Sequence, residues 1–148
     1  MKIFKDAEKR LRELEGLTLD VGWNEGNRYD DNTPVAAIAE IHEYGAPAAG
    51  IPPRPFIRPA IINHGGEWGK NISKGCKAVM NGRVSPKDML LAVGSVISAD
   101  IQTAIRDVKT PELAERTKRS RDRKKRAYDP LNDSGYMIAT VNAQVNEK

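Results

Sequence analysis

Ile51-Pro52-Pro53-Arg54-Pro55-Phe56-Ile57-Arg58-Pro59-Ala60 carries four prolines, at positions 52, 53, 55 and 59. Each fixes φ and removes a backbone donor. The residue before each proline is pushed towards extended geometry. The stretch therefore reads as a stiff, polyproline-like connector rather than a central strand or a helix interior. Phe56 and Ile57 are its large apolar side chains past Pro53 and are expected to anchor it to a core, leaving Arg54 and Arg58 towards solvent or a partner. A loop this rigid binds without a large ordering cost. The same stiffness also suits a structural elbow, and the residues leave both readings open.

Upstream, Ile3, Phe4, Ala7, Leu11 and Leu14 recur at helical spacing, with Lys5, Glu8, Lys9, Arg12 and Glu13 on the opposite face. Gly16 is expected to end this amphipathic helix. Leu17 to Trp23 then alternates like a half-buried strand. The polar stretch 24–32 reads as a loop, and Thr33-Pro34 as the N-cap and first position of a helix reaching Tyr44. Val35, Ile38 and Ile41 face inward there, with His42 beside them, and Gly45 closes the helix in a left-handed conformation.

Downstream, Gly65-Gly66 is expected to break or distort a helix that carries Trp68 and Ile72. Ser85-Pro86, with Asp88 in the first turn, is a strong helix start. Met89, Leu90, Val93, Ile97, Ile101, Ala104, Ile105 and Val108 trace one stripe over roughly six turns. Thr110-Pro111 stops it. The segment 129–135 is turn-rich, and Tyr136 to Val145 has the β-branched and aromatic content of a closing strand, after a possible helical turn over Ser134 to Ile138.

The expected architecture is one α+β domain over 1–148: a small antiparallel sheet packed against amphipathic helices, with the proline-rich loop and a basic extended arm at 110–133. At 148 residues a single core can form. The first 20 residues lack a signal-peptide core, and no run reads as a membrane span. Cys76 is the single cysteine, which excludes an internal disulfide framework.

Chemistry has little support. His42 and His64 are the two histidines, without metal-ligand spacing, and no glycine pattern cradles a phosphate. His42 and Glu43 are helix neighbours whose side chains diverge, so His42 reads as an ordinary surface histidine. A hydrolase using His42 or Cys76 has nothing to recommend it, and neither a catalytic residue, a cofactor nor a metal is expected.

Charge is concentrated instead. Arg116, Lys118, Arg119, Arg121, Arg123, Lys124, Lys125 and Arg126, against Asp122 alone, give this run +7 in a chain of net charge +4. With no large apolar residue among them, they are expected to stay solvated until a partner orders them. Such a cluster suits phosphate backbone or an acidic protein surface. It lacks the interleaved aromatics of base readers, so any DNA contact would be non-specific.

Two blocks resemble one family. Val35 to Gly45 (VAAIAEIHEYG) followed by Ile51 to Ala60 (IPPRPFIRPA) is similar to the signature of tailed-bacteriophage neck and tail-completion proteins, also called virion morphogenesis or minor tail proteins. Thr110 to Ala114 (TPELA), Thr117, the basic run and Pro130 to Gly135 (PLNDSG) resemble its second block. After Gly135 the chain departs from the family's small polar helix start. The resemblance implies a non-enzymatic structural protein of the virion, made in the host cytoplasm and placed at the head–tail junction or the tail end. There it would form a closed ring with itself, by resemblance a hexamer, and meet neighbouring neck or tail proteins. Arg54, Pro55, Phe56 and Arg58 would lie on one subunit interface, and 116–126 would make a second contact with protein or DNA. A rival reading is a non-specific nucleic-acid-binding protein using 116–126.

Overall fold

A computed structural model describes residues 1–148, the side chain of Lys2 excepted. In chain order the elements are α1 (Lys2–Glu15), β1 (Leu17–Gly22), α2 (Val35–Tyr44), a 3₁₀ turn (Pro47–Ala49), α3 (Ile57–Met80), α4 (Pro86–Asp107), α5 (Glu115–Arg123), α6 (Tyr136–Ala139) and β2 (Asn142–Glu147). Strands β1 and β2 pair antiparallel from Leu17 opposite Glu147 to Gly22 opposite Asn142. The fold is α+β, as the alternation of helical and strand periods predicts.

Helix α4 organises the packing. Ser85 starts it as expected: its Oγ accepts from the Asp88 amide at 3.1 Å and donates to the Asp88 carboxylate at 2.6 Å. Along one part of its stripe Ile101 and Ile105 meet Val35 and Ala39 of α2, Ala60 of α3, Leu131, and Met137 and Ile138 of α6. Nearer its start, Met89 and Val93 meet Val79, Leu14, Leu19 and Cys76, and Ile97 touches both clusters. Each aliphatic side chain fully buried in this way contributes about 1.5–3 kcal/mol. By length and composition α4 is apolar enough to cross a bilayer, which corrects the expectation that no run is. Its stripe is used inside the chain.

Gly94 sets how closely the sheet approaches. A Cβ there would stand 2.5 Å from Ala143 Cβ and 2.8 Å from Leu19 Cδ1, so glycine lets both strands rest on the helix.

Several local expectations are corrected. Helix α3 runs unbroken through Gly65 and Gly66 for 24 residues. Packing on α4 outweighs propensity here, and Trp68 Nε1 donates to Asp100 Oδ2 at 2.7 Å just past the glycines. Helix α2 begins one residue late, with Pro34 at the N-cap position and no side-chain cap from Thr33. Tyr136 to Ala139 is helical, so the closing strand starts at Asn142. Arg58 and Pro59 belong to the first turn of α3, where proline costs no hydrogen bond.

Gly94→Val is expected to destabilise the protein by about 1–3 kcal/mol through overpacking against Leu19 and Ala143. Urea denaturation should show a lower midpoint at an unchanged slope.

Candidate assembly site: the proline connector and the basic segment

Gly45 turns the chain back on itself. Its φ is +77°, and a Cβ would lie 2.9 Å from both Ile51 O and Pro53 N, so no other residue fits. The Ala46 and Ile51 amides and carbonyls pair at 2.9 and 3.1 Å across the 3₁₀ turn, and the Arg54 amide donates to His42 O at 2.6 Å. The connector thereby lies along the end of α2. Phe56 is fully buried, with Trp23 edge-on at 6.0 Å, which fulfils its expected anchoring role.

The start of α3 has no capping side chain of its own, because Phe56 occupies the N-cap position. Glu43 supplies the acceptor from α2. Its Oε2 accepts from the Phe56 and Ile57 amides at 2.8 and 2.9 Å, and its Oε1 from the Arg58 amide at 3.1 Å and Arg58 Nε at 2.9 Å. These amides are among those a helix leaves unpaired, and the negative charge also suits the helix dipole. Burial alone would raise the Glu43 carboxyl pKa. The hydrogen bonds from the three amides and from Arg58 outweigh it, and the carboxyl sits below its ordinary 4.5. Arg58 also donates from Nη2 to Glu43 O at 2.9 Å and lies over the Tyr44 ring.

Two arginines expected at the surface point inward. Arg54 is buried, and donates from Nε to Pro111 O at 2.7 Å and from Nη2 to Glu112 O at 2.8 Å. Arg121 is buried as well, donating from Nη1 to Ala127 O at 2.8 Å and Asp129 O at 2.6 Å, with Nε 3.4 Å from Asp133 Oδ1. The segment 110–133 is therefore no extended arm. It forms α5 and is gripped from both sides: guanidinium donors and loop carbonyls hold the stretch without large apolar side chains, and Leu131 anchors its end in the core.

His42 is half-buried rather than on an open helix surface, and its Nδ1 is enclosed without a hydrogen-bond partner. Burial first, then the charges of Arg54 and Arg121, hold its pKa below the ordinary 6.5. It lines a cleft of about 530 Å³ together with Tyr29, Arg121, Arg126, Asp133 and Tyr136.

The residues expected on one docking face thus separate. Phe56 and Arg54 are interior, Pro55 is half-buried, and Arg58 stays partly exposed while paired to Glu43. In the basic run, Lys118 pairs with Glu112 and Glu115 at 3.0 Å, and Arg126 with Asp133 at 2.5 Å. Arg116, Arg119, Arg123, Lys124 and Lys125 remain exposed, the first three on one face of α5. Sequence reasoning missed Glu43 as a cap. Its available signal was a helix start, Phe-Ile-Arg-Pro, with no capping residue of its own.

Among the described residues no three His, Cys, Asp or Glu side chains converge on a metal position. Comparison with protein-family models, with curated proteins and with solved structures finds no match to this chain.

Glu43→Gln is expected to cost about 2–4 kcal/mol, because three amides and Arg58 lose a charged acceptor. Two pH windows should separate. Glu43 is depressed in the folded state, so its contribution is complete above about pH 4.5 and falls as pH drops further; Glu43→Gln flattens that limb of a melting-temperature profile. The folded state also resists protonating His42, so stability falls as pH drops below 6.5, and His42→Gln removes that earlier limb.

Proposed function

We propose that this chain is a non-enzymatic structural subunit of a tailed-phage particle, acting at the head–tail junction or the tail end in a closed ring of its own copies. One observation carries the reading. The two sequence blocks that resemble the neck and tail-completion family meet in space: Arg54 of the Arg-Pro-Phe block grips the carbonyls of Pro111 and Glu112 in the second block. Arg121 in turn ties the basic run to the loop that carries Pro130 to Gly135. The shared residues thus act as braces that give loops a fixed shape, which is what a repeating interface requires. A closed ring uses heterologous contacts, each copy offering one face to a different face of the next.

A second reading rests on the exposed row Arg116, Arg119 and Arg123 with Lys124 and Lys125, which suits non-specific contact with a phosphate backbone. It assigns DNA binding, rather than ring assembly, as the function.

Native mass measurement and particle imaging test the first reading. The expected result is a ring on phage tails; a chain absent from particles and monomeric at every concentration overturns it. Changing Arg116, Arg119, Arg123, Lys124 and Lys125 to Ser separates the two. Loss of a steeply salt-dependent DNA interaction with particle assembly intact favours the second reading.

A further inference from the structure

We infer that His42 is a proton-operated latch: at mildly acidic pH it releases the segment 113–129, with α5, from a body that stays folded. The device is internal to the chain and does not depend on the assembly reading.

The segment is held unlike the rest of the molecule. It runs between Glu112, whose carbonyl Arg54 grips, and Leu131 in the core, and none of its side chains belongs to either apolar cluster. Arg126 pairs with Asp133, and Arg121 buries its guanidinium in the cleft that His42 also lines. A stretch held by polar contacts, with little apolar burial, is where a fold opens locally at low cost.

His42 has no place for a second proton. Its Nδ1 is enclosed without a hydrogen-bond partner. We assign the proton of the neutral ring to Nε2, which leaves Nδ1 as a bare acceptor. Protonation would add an N–H at Nδ1, a buried donor facing no acceptor, in a ring that now carries charge. Burial opposes that charge first, and Arg54 from the connector and Arg121 from α5 add repulsion. Lys124 puts a further positive charge on the cleft wall.

The surrounding carboxylates are committed elsewhere or lie in water. Glu43, the next residue on α2, is taken by the α3 amides and Arg58, and Asp133 by Arg121 and Arg126. Asp30 and Asp31, from the loop before α2, line the cleft as exposed residues, where solvent and salt screen them. Tyr29 and Tyr136 bring no charge to it.

Of the three groups, Arg121 is the one free to leave. His42 is fixed on α2 beside the buried Ala39 and Glu43. Arg54 is fixed as well, because its amide donates to His42 O at 2.6 Å and Phe56, two residues on, is fully buried. The carbonyls that Arg121 holds, of Ala127 and Asp129, belong to the moving segment and travel with it. Proton linkage sets the direction: the open form takes up a proton near the ordinary 6.5, the closed form only below it. Falling pH therefore favours the open form, by up to about tenfold per pH unit below that value.

Amide hydrogen exchange of the full chain, read by mass spectrometry and corrected for the intrinsic effect of pH, is the test. At every pH, protection over 113–129 is expected to be at least a hundredfold below that of α4, because the segment opens without global unfolding. From pH 7.5 to pH 5.0 it should fall at least fivefold, with a midpoint that follows titration of the His42 ring, and not of His64, in the proton NMR spectrum. His42→Gln, its folding checked by circular dichroism, should abolish that fall, whereas His64→Gln should keep it. Protection equal to that of α4 means that the segment opens only with the whole molecule, and overturns the latch. So does a segment unprotected at pH 7.5, one indifferent to pH, or one that still responds in His42→Gln. Should that variant not fold, the NMR midpoint decides: agreement with His42 supports the latch, and any other midpoint overturns it.

Discussion

The carboxylate of Glu43 is the interaction on which the middle of the molecule depends. It sits at the end of α2, yet it satisfies the first amides of α3 and one guanidinium. Helix starts need acceptors, and a buried carboxylate needs donors; each requirement here meets the other. Because the connector between the two helices is short and proline-stiffened, fixing its far end to Glu43 fixes Phe56 too. The largest fully buried side chain is thus positioned by a charge next to it rather than by apolar shape alone.

Arg54 and Arg121 apply the same logic to the part of the chain with the fewest apolar residues. A loop with few hydrophobic side chains cannot be held by burial, but its carbonyls are strong acceptors, and a guanidinium offers five donors in a fixed fork. Two such forks convert a highly charged segment into a helix with defined ends. The cost appears at His42, which sits near both positive charges and is kept neutral. The basic side chains left over are concentrated on the outside of α5, separated from the braces that position it.

The apolar surface is divided just as unequally. Helix α4 uses its stripe on both core clusters, whereas α1 and α3 each retain a face that the chain leaves open. An interior braced by hydrogen-bonded charge, combined with open helical faces, fits the proposed role of a subunit whose core is complete before assembly and whose outer faces are completed by neighbours.

What the sequence by itself determined is whatever depends on near neighbours. The stripe of α4, its Ser85 start, the amphipathic α1, the strand after Gly16 and the anchoring of Phe56 are set by periodicity, capping and side-chain size within a few residues. The tertiary structure decided where long charged side chains find partners. Arg54 reaches carbonyls 57 and 58 residues away, and Asp100, 32 residues along the chain, steadies α3 past its glycines by accepting from Trp68. A guanidinium at the surface and one forked onto loop carbonyls have the same local sequence signature. Only the packing that brings those carbonyls within 3 Å distinguishes them, which is why Arg54 and Arg121 read as outward residues and fold as inward ones.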